Sequence, residues 1–507
     1  MRALPLLLLL VGIARPDEGT PSPERRRTLT LEEAIDLALA YNLGLESERL
    51  GALIARLRVD EQDAAFDAVL AGSLSGGEEL TPSRSTLSGA AVLDTDNLKL
   101  DAAVTKPLRM GPTLGLAWRS DRTFTNSSFS TINPAYSNDL ELSMVVPLLR
   151  GRGRSAREAA LRGEQAAAEE ARYALLAEAA SLVTAVSGAY WDLAYRQGRV
   201  ELLRKSVAVA RETEESERKK LRPEVGRSTP LDVIQAEAET RRREAELIKG
   251  VREAADGADS LRKLVLPFTG GDGDDLVLVA GAPSGPGTTP AAVEELVREA
   301  IARRPELLAK EAALRRLEES VVQARDATRL QLDFTGTFTA RGLGGRFGSS
   351  LSDAGGLDTL SAAARLDFSY PFGRRQAKAA LRRSELERER GRLDRLELIN
   401  AVVAEVRQAR RAVVSSLDEI AATELEVKAA AEALRGEQQR LLRGSSTVLQ
   451  VSELEERLTE AELRLLQARV ERERATLELQ RVSGDLLERL GIRLDGELKV
   501  LRGAAAR

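Results

Sequence analysis

The 507-residue chain has no cysteine and no histidine. That excludes disulfides, thiolate and imidazole metal sites, and the commonest general base of enzymes. It also contains no Gly-x-Ser-x-Gly elbow and no Walker loop, so no catalytic residue, cofactor or metal site is expected and the chain does not read as an enzyme. The formal net charge of -4 is small for such a length, which gives no broad attraction to nucleic acid. Past the N-terminus, no segment offers about 18 apolar residues free of charge, so no transmembrane helix is expected. Aromatic residues are scarce, at 3%.

What the chain does have is 43% apolar and 30% charged residues, rich in Ala, Leu, Glu and Arg, as in long helices or coiled coils. Its first residues read as a secretory signal over 1–14: the basic Met1-Arg2, the apolar run Ala3 to Ile13, and the small residues Gly12 and Ala14 around Ile13. A polar segment, 15–28, follows. The chain is therefore expected to leave the cytoplasm, and any membrane crossing would use strands.

The sequence repeats itself. Leu31-Glu32-Glu33-Ala34-Ile35 is matched by Val293-Glu294-Glu295-Leu296-Val297, and Val146-Pro147-Leu148-Leu149 followed by Arg-Gly is matched by Tyr370-Pro371-Phe372-Gly373-Arg374. Gly226-Arg227-Ser228-Thr229-Pro230-Leu231-Asp232-Val233 is matched by Gly444-Ser445-Ser446-Thr447-Val448-Leu449-Gln450-Val451. The offsets, roughly 220 to 260 residues, far exceed solenoid periods and imply a duplicated half-protein. The expected division is a first repeat over 29–266, a Gly/Pro-rich linker over 267–289, a second repeat over 290–491 and a tail over 492–507. Within the linker, Gly270-Gly271-Asp272-Gly273-Asp274-Asp275-Leu276-Val277 fits a calcium-binding repeat. Such sites need stacked copies, so a linker is the better reading.

Each half predicts one short helix, Leu31 to about Ala65 or Val293 to about Thr328, and then a long helical hairpin over 154–264 or 374–490. Apolar residues seven apart run through the long helices: Val186, Leu193, Val200 and Val207, then Ile399, Val406, Val413, Ile420, Val427, Leu434 and Leu441. That spacing keeps one seam on a partner helix through left-handed supercoiling. A rod of roughly 68 residues would be about 100 Å long. In the second returning helix, Leu454, Ala461, Ala468, Ala475 and Val482 repeat the spacing. The turns lie near Gly226 and Gly444, with Thr229 and Thr447 placed to cap the returning helices.

Between short helix and rod the period changes to two, over about 66–148 and 330–372. Leu98, Leu100, Ala102 and Val104 alternate with Lys99, Asp101, Ala103 and Thr105, and Leu366, Phe368 and Tyr370 alternate with Asp367 and Ser369. This suits strands with lipid on one face and water on the other. The stretch Arg341 to Asp358 reads as an exposed loop. Four strands per chain are expected, with an additional hairpin near 97–125 left unassigned. Four cannot close a barrel, so several chains must share one.

A duplicated helix-strand-strand-helix unit with a leader and long heptad hairpins resembles the TolC-type outer-membrane efflux family. The resemblance covers roughly Leu29 to Leu490 and rests on the 146–153 run, its 370–374 echo and the two Gly-x-x-Thr-x-Leu-x-Val turns. It implies a mainly α fold with membrane β, a homotrimer with a shared twelve-stranded barrel in the outer membrane, and a twelve-helix tunnel in the periplasm. It further implies a passive duct for efflux or type I secretion, docked to a periplasmic adaptor and an inner-membrane pump of RND or ABC type. Asp232 matches the family's acidic gate position; Gln450 stands at the equivalent place in the second turn, with Glu453 three residues on. Where the family has an Arg two residues after the second turn Gly, this chain has Ser446, so that latch is missing. The turn residues Gly226, Arg227, Ser228, Gly444, Ser445 and Ser446 are candidates for adaptor docking, since small residues allow close approach. The alternative is a secreted or soluble coiled-coil scaffold without channel activity. It explains the heptads but not the leader, the strands or the repetition.

Overall fold

The computed structural model describes residues 26–83, 88–221, 229–265, 277–280, 289–443 and 445–502. The expected signal peptide, Gly226, Arg227, Ser228, Gly444 and most of the expected linker lie outside them. The first strand, β1 (Arg26–Leu29), precedes helices α1 (Leu31–Tyr41) and α2 (Leu43–Asp63). Four strands follow: β2 (Val69–Pro82), β3 (Val92–Pro107), β4 (Thr113–Thr125) and β5 (Ala135–Pro147). Next come a short α3 (Arg154–Arg157), the 62-residue α4 (Ala159–Lys220) and the 36-residue α5 (Pro230–Val265). Strand β6 (Val277–Ala280) leads to α6 (Val293–Arg303), α7 (Pro305–Ala327), β7 (Gln331–Gly344), α8 (Phe347–Gly355) and β8 (Leu360–Ser369). The chain continues through the 68-residue α9 (Arg375–Leu442), the 36-residue α10 (Val448–Ser483), α11 (Leu486–Arg489), β9 (Ile492–Leu494) and β10 (Val500–Arg502).

These elements form two compact units, each drawing on both halves of the sequence. One holds the described residues within Met1–Asn42, Ala185–Thr288 and Ser415–Arg474; the other holds those within Leu43–Thr184, Thr289–Val414 and Ala475–Arg507.

Several expected boundaries move for local reasons. Each short helix is in fact two. In the second half Pro305, which has no N–H and disfavours helical geometry at the residue before it, leaves Arg304 extended and starts α7. In the first half Asn42 is extended between α1 and α2. Helix α1 begins with a capping box in which Thr30 and Glu33 satisfy each other's backbone N–H groups. The last long helix stops at Ser483, short of the expected Leu490, because Gly484 takes a left-handed φ of 81°. Part of the expected linker is ordered: β6 pairs in parallel with β1 from Arg26↔Val277 to Leu29↔Ala280. The expected tail contains an antiparallel hairpin of β9 and β10, turned by Asp495, whose carboxylate accepts from the Glu497 and Lys499 N–H groups.

The four α4 heptad positions, Val186, Leu193, Val200 and Val207, are buried, as are Val406 and Val413 in α9, whereas Ile399, Ile420, Val427, Leu434 and Leu441 are half-buried. A second seam position, three residues on, completes the stripe in α9: Val402, Ala409, Ser416 and Thr423, all buried. In the second unit Val402, Val406, Ala409 and Val413 cluster with Leu296, Ala300, Leu307, Ala475, Leu479 and Val482. Helix α4 does contain an 18-residue window apolar enough to cross a membrane by length and composition, unlike the sequence expectation, but half of that window is buried within the fold.

The main sheet lies wholly in the second unit. It has six strands in the order β2-β3-β4-β5-β7-β8, every neighbouring pair antiparallel. The expectation of four strands per chain is thus corrected to six. The expected hairpin near 97–125 is β3 and β4, which pair continuously from Thr95↔Thr125 to Pro107↔Thr113 inside the sheet; β2, which the period-two pattern did not single out, adds a further strand beyond β3. Alternation in β2 is diluted by Gly72, Gly76 and Gly77, which hid it from period-two reading. The expected loop from Arg341 is likewise corrected: β7 runs on to Gly344, and α8 follows. Helix α8 lies over β5 and β7, where Ser350 Oγ accepts from Asn138 Nδ2 at 2.6 Å and Phe347 meets Trp118 edge to face.

Gly342 makes this seat possible, since a Cβ there would collide with the Ser350 carbonyl oxygen. Gly342→Ala is expected to displace α8 and expose Trp118 while leaving the strand pairing intact. Quenching of Trp118 emission by a brominated detergent, in a Trp191→Phe background, should increase, and unchanged quenching would refute the seating.

Candidate functional site

Register turns the alternating strand sequences into two chemically distinct faces. One cross-strand row reads Leu70, Val104, Leu116, Leu142, Phe338 and Ala362, taking one residue from each of the six strands. The next row on that face reads Gly72, Ala102, Trp118, Leu140, Ala340 and Leu360. Leu70, Leu74, Leu116, Leu142 and Phe338 are more than half exposed. The polar residue Asn138 falls on this face but is fully buried, covered by α8 and accepting from Trp118 Nε1 at 3.0 Å. Helix α8 therefore shields Asn138, while the charged Lys106 and Arg122 share this face nearer the strand ends.

The opposite face carries charge in alternating sign. One row crosses five strands as Ser73, Asp101, Arg119, Asp139 and Arg341. Ser73 Oγ donates to Asp101, Arg341 pairs with Asp139 at 3.7 Å, and Arg119 reaches Glu141 at 2.7 Å. Lys99 and Asp121, directly opposite each other, lie 3.7 Å apart. A sheet with one exposed apolar face and one charged face matches the wall of a membrane barrel around water. Its strands of 10 to 16 residues meet or exceed the roughly 9–11 needed to span tilted.

The second group of residues lies at the turn ends of the long helices, in the first unit. Asp232 closes a capping box at the start of α5. Its Oδ2 accepts from Thr229 N–H at 2.8 Å and Oγ1 at 2.7 Å, and its own N–H donates back to Thr229 Oγ1. The hydroxyl and the backbone N–H hold this carboxyl below the usual aspartate range. Gln450 repeats the arrangement at the start of α10, accepting from Thr447 N–H at 3.1 Å and donating its own N–H to Thr447 Oγ1. The two threonines thus cap as the sequence predicts. Ser446 Oγ lies 2.5 Å from Glu437 Oε1 and 3.1 Å from Gln450 Oε1, and Ser445 Oγ donates to the Arg440 carbonyl. Glu453 is exposed on α10.

An arginine cluster that sequence reading missed lies next to Asp232 along α5. Arg242 grips Glu239 on its own helix and Glu456 on α10, at 2.8 and 2.9 Å. Arg243 is buried and ties three helices together. Its Nη1 donates to Ser206 Oγ of α4 at 2.6 Å, its Nε to Glu239, and its Nη2 to the Ser452 hydroxyl of α10 at 3.2 Å. A cavity of about 520 Å³ between these helices is lined by Asp232, Glu239, Arg242, Thr447, Ser452 and Glu455. Burial pushes the Glu455 carboxyl above its ordinary range, against the pull of Arg243. Burial also raises Glu239, but hydrogen bonds from Arg242 and Arg243 outweigh it and leave that group lowered.

The triplet Arg241-Arg242-Arg243 reads as a solvated helix face. The signal that singles out Arg243 is heptad spacing: Ala236, Arg243, Gly250 and Gly257 are seven apart and all buried. Gly250 and Gly257 admit α4 closely, since a Cβ at either would crowd Leu203 or Arg196.

A family model described as outer membrane efflux protein matches residues 109–265 and 296–485, the greater part of the chain. The chain belongs to the outer membrane efflux protein family and is an efflux channel of the outer membrane. Among solved structures, it is similar to the Campylobacter jejuni CmeC outer membrane channel at 14% identity and a TM-score of 0.65, covering 90% of this chain and 86% of that one. The open state of the Neisseria gonorrhoeae MtrE outer membrane channel matches at 22% identity and a TM-score of 0.59, covering 90% and 89%. A membrane protein from Pseudomonas aeruginosa matches at 19% identity and a TM-score of 0.64, covering 90% of each chain. A comparison with curated protein sequences gives no match.

Arg243→Ala removes a side chain that bridges α4, α5 and α10 and leaves Ser206 and Ser452 without it. Amides around Ser206, Arg243 and Ser452 should exchange faster by tenfold or more, whereas Arg241→Ala should leave them unchanged. The cap has its own pH dependence. Because the Asp232 pKa is lowered on folding, its contribution is present above the ordinary aspartate range of about 3.9 and is lost as pH falls through the lower folded value. Protection of the first amides of α5 should drop across that window, and Asp232→Asn should abolish the dependence.

Proposed function

We propose that this channel is the passive exit duct of a tripartite efflux or type I secretion system. Three copies share one barrel in the outer membrane, and their long helices continue into the periplasm as a common tunnel. The chain itself has no energy source in this scheme: a periplasmic adaptor and an inner-membrane pump of RND or ABC type drive the cargo. The two-faced sheet carries this conclusion. Its apolar rows suit hydrocarbon and its charged rows suit a water-filled lumen, while its outer strands need neighbours. No soluble scaffold has a use for that many exposed leucines on one sheet face.

The turn ends supply the gate in this reading. Asp232, Glu453 and the Gln450 position are the pore-facing candidates, and six carboxylates from three copies would favour cations. With Ser446 in place of the arginine found in relatives of the TolC type, the bridge from Arg242 to Glu456 is the closest available latch, because it ties the first returning helix to the second. Gly226, Arg227, Ser228, Gly444, Ser445 and Ser446 form the docking surface for the adaptor, where small side chains admit a helical hairpin.

Single-channel recording of the detergent-purified chain in planar bilayers tests both parts. The wild type should insert and conduct with a preference for cations, and Asp232→Ala with Glu453→Ala should weaken that preference. Glu456→Gln should raise the open probability several-fold by cutting the latch. A chain that stays soluble and never inserts would refute the duct. Conduction with unaltered selectivity and gating would retain the duct and discard these gate residues.

A further inference from the structure

The six-stranded sheet ends at β2 on one side and β8 on the other, and neither outer edge is paired among the described residues. Every residue of both strands is exposed, unlike those of the strands between them. The β2–β3 hairpin is no appendage. It extends the apolar rows through Leu70, Gly72, Val104 and Ala102, and it extends the charged row through Ser73 and Asp101. An open edge in hydrocarbon leaves a row of N–H and C=O groups without partners, each at a cost of several kcal/mol. Those two edges therefore need strands supplied from elsewhere.

The strand directions say what fits. Neighbours are antiparallel throughout and their number is even, so β2 and β8 run in opposite directions. A second copy related by simple rotation brings its β2 antiparallel to the first copy's β8, keeping both faces in register with lipid and water. Such a head-to-tail contact uses two different edges and repeats until the ring closes. Lysines and prolines, which commonly block an edge from pairing, are nearly absent here: β2 has no lysine and a single proline at its last residue, and β8 has neither.

We propose that β2 of one copy pairs with β8 of the next and that the β2–β3 hairpin is part of the wall. The trimer then closes an eighteen-stranded barrel, six strands from each of three copies, in place of the twelve-stranded one that four strands per chain would build. This rests on the trimeric outer-membrane duct proposed above. Barrel diameter grows roughly in proportion to strand number, so at equal tilt the barrel is about 1.5-fold wider and its cross-section about twofold larger. The hairpin thereby sets the width of the barrel.

The cysteine-free background allows a direct test in the full-length chain purified from outer membranes. Ser75→Cys or Gly77→Cys on β2 is combined with Ser361→Cys or Ala363→Cys on β8, all on the charged face. Oxidation should give a reducible ladder of dimer and trimer for at least one combination. Single-particle cryo-EM of the wild-type trimer, which needs no variant, should count eighteen strands and a barrel about 1.5-fold wider than a twelve-stranded one. A cross-linked monomer alone would mean that each copy closes on itself and would overturn the proposal. Twelve strands with the hairpin outside the wall would overturn it too, leaving the trimeric duct intact. A chain that never reaches the membrane would sink both.

Discussion

A strand surrounded by hydrocarbon must find every one of its backbone hydrogen bonds within protein, and this constraint shapes more of the molecule than any other. In the proposed barrel it accounts for a sheet of long strands in unbroken antiparallel register, and for apolar residues that fall in rows across strands. It also explains why the polar residue Asn138 on the apolar face is roofed by α8 with its amide satisfied at both ends. The charged face obeys the complementary rule. Arg119, Asp139 and Arg341 alternate in sign, so each charge lies beside a partner in a setting that water can reach.

The helical part runs on a different principle, the pairing of seams at seven-residue spacing. Small residues on those seams matter as much as large ones. Gly250 and Gly257 let α4 and α5 approach closely, and Ser416 and Thr423 continue the stripe that Val402 and Ala409 begin. Near the turns the seam becomes polar. Arg243 replaces an apolar knob, and its three guanidinium nitrogens donate to Ser206, Glu239 and Ser452. Breaking such a buried charge is costly, whereas a hydrophobic isostere in its place is often tolerated. A polar seam near the turns therefore favours one particular packing of the helix ends while leaving them less tightly bound than the valine-rich stretch of α9.

Much of this was legible in the chain. The heptads of α4 and α9, the caps at Thr229 and Thr447, and the alternation in β3, β5, β7 and β8 were all read from residue spacing. What escaped reading did so for physical reasons. Strand β2 carries Gly72, Gly76 and Gly77 where a strand signal would put branched residues, and only pairing with β3 makes it a strand. The helix in 347–355 is short and rich in Gly and Ser, so its propensity is weak and its seat on β5 and β7 is what holds it. Arg243 escaped reading because its triplet looks like a solvated helix face, and only the seven-residue series of Ala236, Arg243, Gly250 and Gly257 marks it as a seam position.

The sequence by itself determined the class of the protein: long helices with seven-residue seams, strands of alternating apolar and polar residues, and the repeated motifs by which it resembles the outer-membrane efflux family. These are properties of local periodicity, and local periodicity is written residue by residue. Tertiary structure alone decided how many strands join the sheet, which edges stay open, and which charges meet at the turns. Those outcomes depend on register between segments as distant as Ser73 and Arg341, or Arg242 and Glu456, and no local pattern encodes the distance between them.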